Sequence, residues 1–182
     1  MSPPNHESEL LARLMAGEGP AFDELMRAHQ DRVFAVCLRL MGSRDRALDA
    51  TQETFLTVFR KASQFQGRSA LGTWIYRIAV NACYDQLRKA TRRRTESLPD
   101  HFDIADPRSM DQLTATEIRP EIERALETLS PEFRAAVVLA DMEGIPLPEV
   151  SAILGIPVGT VKSRVFRARR RLAEVLGNHS PR

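Results

Sequence analysis

The chain has 182 residues, 43% of them hydrophobic and 6% aromatic, with a net charge of +2. That is enough for one large or two small domains with real cores, and it is poor in the aromatics that favour strands. So small a net charge names no partner, but its distribution does. No apolar run reaches membrane length and no secretory leader opens the chain, so a cytoplasmic protein without membrane insertion is expected.

Residues 1–8 contain Pro3, Pro4 and Asn5 and are expected to fray. From Glu9, Leu10, Leu11 and Leu14 begin a helix that Gly17-Glu18-Gly19-Pro20 breaks. The second helix carries Phe22, Leu25, Met26, Val33, Phe34, Cys37 and Leu40 at helical spacing, and Gly42 closes it. Ser43 and Asp45 suit the cap of a third helix running to about Ala62, with Phe55, Val58, Phe59 and Ala62 facing inward. Its other side bears Asp49, Gln52 and Glu53 at i, i+3 and i+4, which on spacing alone reads as solvated helix surface. The segment FQGRSALGT, Phe65 to Thr73, is a loop of glycine and small residues.

A fourth helix, Thr73 to about Thr91, turns Trp74, Ile75, Ile78, Ala79, Ala82 and Leu87 inward. Arg77, Asn81, Tyr84 and Arg88 share another face, and a basic run follows: Arg88, Lys89, Arg92, Arg93, Arg94. Basic and polar groups beside a glycine-rich loop suit single-stranded or melted DNA. The sole cysteines, Cys37 and Cys83, lie on apolar helical faces without CxxC spacing and read as small buried apolar residues. The four histidines are scattered, so no metal and no cofactor is expected.

Thr95 to Glu117 holds six acids, one arginine and two prolines and few large apolar residues. This composition reads as a flexible linker. Folding resumes near Ile118: Ile118, Ile122, Ala125, Leu126 and Leu129 make a stripe, Ser130-Pro131-Glu132 starts another helix, and Phe133, Val137 and Ala140 face in before Gly144. The last stretch, Pro148 to Leu172, reads as two helices across a turn at Gly155 and Pro157. Val161, Val165, Ala168 and Leu172 share the buried face of the second. Ser163, Phe166, Arg167 and Arg170 fall opposite, with Lys162 at the edge, and Val158 to Leu172 carries six Lys/Arg and no acid. This describes a helix-turn-helix whose second helix enters a DNA major groove: arginine bridges guanine O6 and N7, and an exposed Phe meets a thymine methyl. The expected fold class is all-α, with units at 9–94 and 118–177 joined by a linker at 95–117.

With both halves in view, the chain resembles an extracytoplasmic-function sigma factor of bacterial RNA polymerase, over about residues 9–176. DATQETF (Asp49–Phe55) resembles that family's polymerase-docking helix. FQGRSALGTWIYRIAVNACYDQLRK (Phe65–Lys89) resembles its −10 melting segment in region 2, and GTVKSRVFRARRRL (Gly159–Leu172) its −35 reading helix in region 4. The resemblance implies that Asp49, Gln52 and Glu53 contact the clamp helices of the polymerase's largest subunit, with region 4 near the flap. It implies that Phe65, Gln66, Gly67, Ser69 and Ala70 shape a pocket for a flipped base, with Asn81 close by and Arg77, Arg88 and Lys89 on backbone or duplex. It implies that Lys162, Ser163, Arg164, Phe166, Arg167 and Arg170 face the upstream groove, Arg164 most obliquely. An anti-sigma partner and a role without catalysis are implied by the same resemblance. Departures are Leu147-Pro148 for a more usual polar or aromatic pair, Ser151 for a common alanine, and Arg68 for an acidic or polar residue. Two other classes fit parts of the chain: a free-standing helix-turn-helix regulator fits residues 118–176, and a DNA recombinase with such a tail lacks a recognisable nucleophile setting.

Overall fold

The computed structural model describes residues 6–96 and 120–177, and every regular element among them is helical. The first unit comprises α1 (His6–Met15), α2 (Gly19–Met41), α3 (Arg44–Lys61) and α4 (Leu71–Glu96), with a single 3₁₀ turn at Ala62–Gln64. The second comprises α5 (Pro120–Glu127), α6 (Pro131–Val137), α7 (Leu147–Leu154) and α8 (Val158–Gly177). The architecture is the all-α one expected, in two helical units. Residues 1–5, 97–119 and 178–182 lie outside the described residues. So do Ile118 and all of the expected linker except Thr95 and Glu96, which are helical as the end of α4. α1 starts at His6, ahead of the expected Glu9.

In the first unit α2 packs on both α3 and α4. Ala47 and Ala50 on α3 and Ala79 and Cys83 on α4 are fully buried, and their small side chains let the axes approach. Leu25, Val33, Val36 and Leu40 of α2 fill the space between. Burying each large aliphatic contributes about 1.5–3 kcal/mol. Phe59 departs from the expected stripe: it is 61% exposed. The buried residues of α3 are Ala47, Ala50, Thr54, Phe55 and Val58, with Ala62 just beyond its end, and Phe59 falls one residue, about 100°, past Val58. Its ring meets the edge of Phe22 at the surface, centroids 5.1 Å apart.

The helix stops follow the glycines. Gly42 and Gly144 take φ of +62° and +66°, where other residues are strained, and the Gly42 N–H donates to the Leu38 carbonyl. The starts are less as expected: Ser43 and Ser130 occupy N-cap positions with extended backbone, yet neither hydroxyl bonds its helix.

α6 is buried nearly all round. Ala135, Ala136, Val138 and Leu139 join Val137 inside, whereas Phe133 and Ala140 are only half-buried. The reason is position: α6 lies between α8 on one side and α2 of the first unit on the other. It then widens into a π turn, Val138–Met142, closed by the Glu143 N–H on the Val138 carbonyl at 3.0 Å. The two units therefore share a seam, with α4 against α7 and α2 against the π turn.

Candidate functional site

The helix-turn-helix is built by its turn. Pro148 stands in the first turn of α7, where its missing N–H costs no bond. Gly155, at φ +66°, donates its N–H to the Ser151 carbonyl, and Ile156 donates to the same oxygen. The Ser151 hydroxyl donates back to the Ile156 carbonyl at 2.5 Å, so a serine where alanine is common ties the turn shut. The Pro157 carbonyl accepts from Thr160 and Val161 and opens α8.

α8 then divides into two faces. Val161, Val165 and Ala168 are buried and Leu172 half-buried. Lys162, Ser163, Arg167 and Arg170 are exposed, and Phe166 is 68% exposed among them. The Ser163 hydroxyl donates to the Thr160 carbonyl, leaving its oxygen lone pairs outward. Arg169 is drawn away by a bidentate pair with Asp141 at 2.6 and 2.7 Å, and Arg170 and Arg171 both lean on Glu174. Lys162 and Arg167 make no ion pair among the described residues. Arg164 is half-buried, and its charge acts on Tyr84 of the other unit.

The α3 patch is also exposed. Asp49, Gln52 and Glu53 border a depression of about 330 Å³ together with Leu56, Asp85, Gln86 and Lys89. Lys89 thus sits across from the acids of α3, while Arg77 and Asn81 stand exposed on α4. Arg88 is exposed too and pairs with Asp85.

The loop after α3 forms the third feature. Phe65 is buried against Trp74, ring centroids 5.0 Å apart, and so is a wall rather than a free stacking surface. Gln66, Gly67, Arg68, Ser69 and Ala70 are exposed, and Gly67 takes φ +63°. Phe65, Gln66 and Gly67 share an open groove of about 870 Å³ with Ser63, Gln64, Leu11 and Met15. The two α1 residues were not among the expected site residues. Met15 is 47% exposed there.

Two family models match the chain: Sigma-70 region 2 over residues 25–93 and Sigma-70 region 4 over residues 119–172. The ECF RNA polymerase sigma factor SigM of Mycobacterium tuberculosis is 39% identical over 94% of this chain and 85% of its own length. The chain belongs to the ECF RNA polymerase sigma-factor family. SigE of Mycolicibacterium smegmatis is 42% identical over 88% of this chain, which spans 63% of that relative's length. The Bartonella quintana sigma factor RpoE, solved in complex with the anti-sigma factor NepR, superimposes with a TM-score of 0.71 at 30% identity, covering 86% of this chain and 96% of that one.

In this sigma factor the helix-turn-helix falls within region 4, and the α3 patch and the loop after it fall within region 2. Both cysteines are free and buried side by side between α2 and α4. The neighbouring Cys37 thiol and burial together push the Cys83 thiol far up, so it stays protonated. Among the described residues no helix is long and apolar enough to cross a membrane, and no group of His, Cys, Asp and Glu could hold a metal ion.

Proposed function

We propose that this chain is a promoter-specificity subunit of RNA polymerase that acts by binding and catalyses no reaction. The observation that carries the reading is the outward face of α8, where Lys162, Ser163, Phe166, Arg167 and Arg170 stand exposed over a buried apolar stripe. A bundle gains nothing by exposing a phenyl ring among arginines, whereas a major groove offers guanine acceptors and thymine methyls to that set. In this reading region 4 binds the upstream box as duplex through these five side chains, with Arg164 reaching phosphate. Region 2 captures flipped bases with Gln66, Gly67, Ser69 and Ala70 against the Phe65–Trp74 wall, Asn81 at the rim, and Arg77 and Arg88 on the backbone. Asp49, Gln52 and Glu53 dock on the clamp helices, and Lys89 borders that contact. Base capture stabilises the melted strand, so binding energy replaces hydrolysis.

The working units are residues 9–94 and 118–177, with residues 95–117 between them, and the protein acts in the cytoplasm under an anti-sigma factor. That partner is suggested by the relative solved with NepR. Two modest sites on one scaffold depend on avidity, so the free chain should bind promoter DNA weakly and lose it steeply with salt. Filter binding of promoter DNA with the chain alone, with core polymerase alone, and with both, across a salt series, checks this. Nanomolar binding by the isolated chain near physiological salt would overturn it.

A further inference from the structure

The cations of α8 are not all alike in what holds them. At about 100° per residue, Ser163, Phe166, Arg167 and Arg170 lie within about 55° of the line opposite the buried Val161, Val165 and Ala168. Lys162 and Arg169 stand close to a right angle from that line, together on one flank. Seven residues apart, they are about 10 Å from each other along the axis. When a helix sits in a major groove, its outward line meets base edges and its flanks meet the sugar–phosphate walls. Lys162 and Arg169 are thus placed to follow one strand of phosphates.

Only one of the two is at liberty to do so. Lys162 is exposed and makes no ion pair among the described residues. Arg169 is captured by Asp141: its Nε donates to Oδ2 at 2.7 Å and its Nη2 to Oδ1 at 2.6 Å, a parallel fork. That guanidinium edge is the one an arginine offers to a phosphate. A phosphate reaching this flank has to displace a carboxylate that already fills the edge and repels it.

The fork is built from outside the helix. Asp141 lies 28 residues before Arg169, in the π turn Val138–Met142 after α6. Arg170 and Arg171 are held differently, by Glu174 one turn along their own helix, at 3.6 and 3.4 Å. Such exposed contacts within a helix are weak and give way readily.

The pair is not placed to hold the fold together. The Arg169 side chain keeps 64% of its surface and that of Asp141 keeps 30%, and exposed pairs contribute little to folding. The seat of α8 on α6 is made by the buried Val161, Val165 and Ala168. What the fork changes is the charge that the flank shows to DNA.

We propose that Asp141 limits the sequence-independent affinity of region 4 for DNA by holding Arg169 off the phosphate backbone. The proposal rests on the reading of α8 as the duplex-binding helix. Asp141 touches no DNA and acts through Arg169 as a positioning residue. Phosphate contacts supply most of the affinity for arbitrary sequence. With one withheld, bulk DNA competes less well for the free chain, which stays available to polymerase.

The test is fluorescence anisotropy of the full chain on a random-sequence duplex across a salt series. Arg169→Ala should keep the parental slope of log affinity against log salt, because Arg169 is already withheld. Asp141→Ala should bind more tightly and steepen the slope by about 0.9, the signature of one added phosphate contact. Raising salt from about 50 to about 200 mM should then cost it about three- to four-fold more affinity than the parent loses. Asp141→Asn, which keeps the shape of the side chain, should move in the same direction. Asp141→Glu, which keeps the fork, should stay parental, and Asp141→Ala with Arg169→Ala should return to the parental slope. A bridge that merely braces α8 predicts weaker binding in Asp141→Ala and Arg169→Ala alike, at an unchanged slope. That result would overturn the proposal, as would a steeper slope that survives loss of Arg169.

A second arm uses core polymerase, the chain and a duplex carrying an upstream box recovered by start-site mapping. Box and random duplex should gain equally from Asp141→Ala, since a phosphate contact carries no sequence. A gain confined to the box would overturn the proposal. A box bound no better than random sequence by the parental holoenzyme would sink the promoter-directing reading and leave the result on Arg169 standing.

Discussion

Helices α4 and α8 both carry a basic face, yet they are built on opposite plans. α8 rests on one row of small residues, Val161, Val165 and Ala168, and its opposite side stands open to solvent. α4 is hemmed in by α2, α3 and α7, so Arg77, Asn81 and Arg88 share the helix with the fully or nearly buried Ile75, Ala79, Val80 and Cys83. The difference teaches where recognition and stability are separable. On α8 a substitution can change what is read and leave the fold alone. On α4 the helix proposed to touch melted DNA also holds the first unit together, and a one-residue shift along it moves from an exposed residue to a buried one.

The comparison breaks most readily at the buried face of α4. Ile75→Ala should destabilise the protein by about 2–5 kcal/mol in urea unfolding, through lost burial and a residual cavity. A loss under 1 kcal/mol would mean that α4 is less constrained than its packing implies. On the open face of α8, Arg167→Ala should leave the thermal midpoint within error. It should weaken discrimination for the cognate upstream box by about 1–3 kcal/mol in competition binding of the holoenzyme. A loss spread equally over all sequences would instead mark a phosphate contact. Asn81→Ala is a finer probe. It should slow promoter opening about ten-fold, or roughly 1.4 kcal/mol, with little effect on closed-complex formation, as read by stopped-flow fluorescence of a base analogue. Equal effects on both steps would erase the division of labour between the helices.

The smallest effect is invisible at neutral pH. The chain has two tyrosines, both on α4. Burial chiefly, and then the charge of Glu143, raises the Tyr76 phenol, while burial and Glu132 push Tyr84 up to about 12. A raised folded-state value means a stabilising contribution that is whole below the unfolded phenol's value near 10. It is lost as pH climbs through the folded value, so the window for Tyr84 is about pH 10 to 12. Absorbance at 295 nm should therefore show phenolate late and together with loss of structure. Simple titration near pH 10 in the folded chain would show that these rings are already wet.

What the sequence made legible was what one helix can encode alone. The stripe Val161, Val165, Ala168 needs only a 3.6-residue period, and the stops at Gly42, Gly144 and Gly155 need only a residue at ease with positive φ. Both were readable. Phe59 misled because periodicity gives a direction but not a width, and the neighbours of α3 cover a narrower strip than the apolar residues suggest. Phe65 falls in the expected loop, but its ring packs on Trp74 of α4, a helix that starts at Leu71, two residues before its pattern implies. Arg164 is the most oblique of its set by helical angle, and it is half-buried in the structure. Glu143 gave no signal at all: its partner Arg39 lies 104 residues away, and the π turn that aims it has no periodicity to read. Contacts between units are set by the sum of two surfaces, and no local pattern records that sum.

The central claim is that two small helical units, each holding part of a promoter, confer new start sites on a polymerase that lacks them. The direct measurement is transcription in vitro on a genomic template library with purified core RNA polymerase, with and without this chain, followed by mapping of RNA 5′ ends. A discrete set of starts that appears only with the chain, shares two spaced upstream boxes and disappears with Arg167→Ala is the predicted result. An unchanged 5′-end map on adding the chain would contradict it.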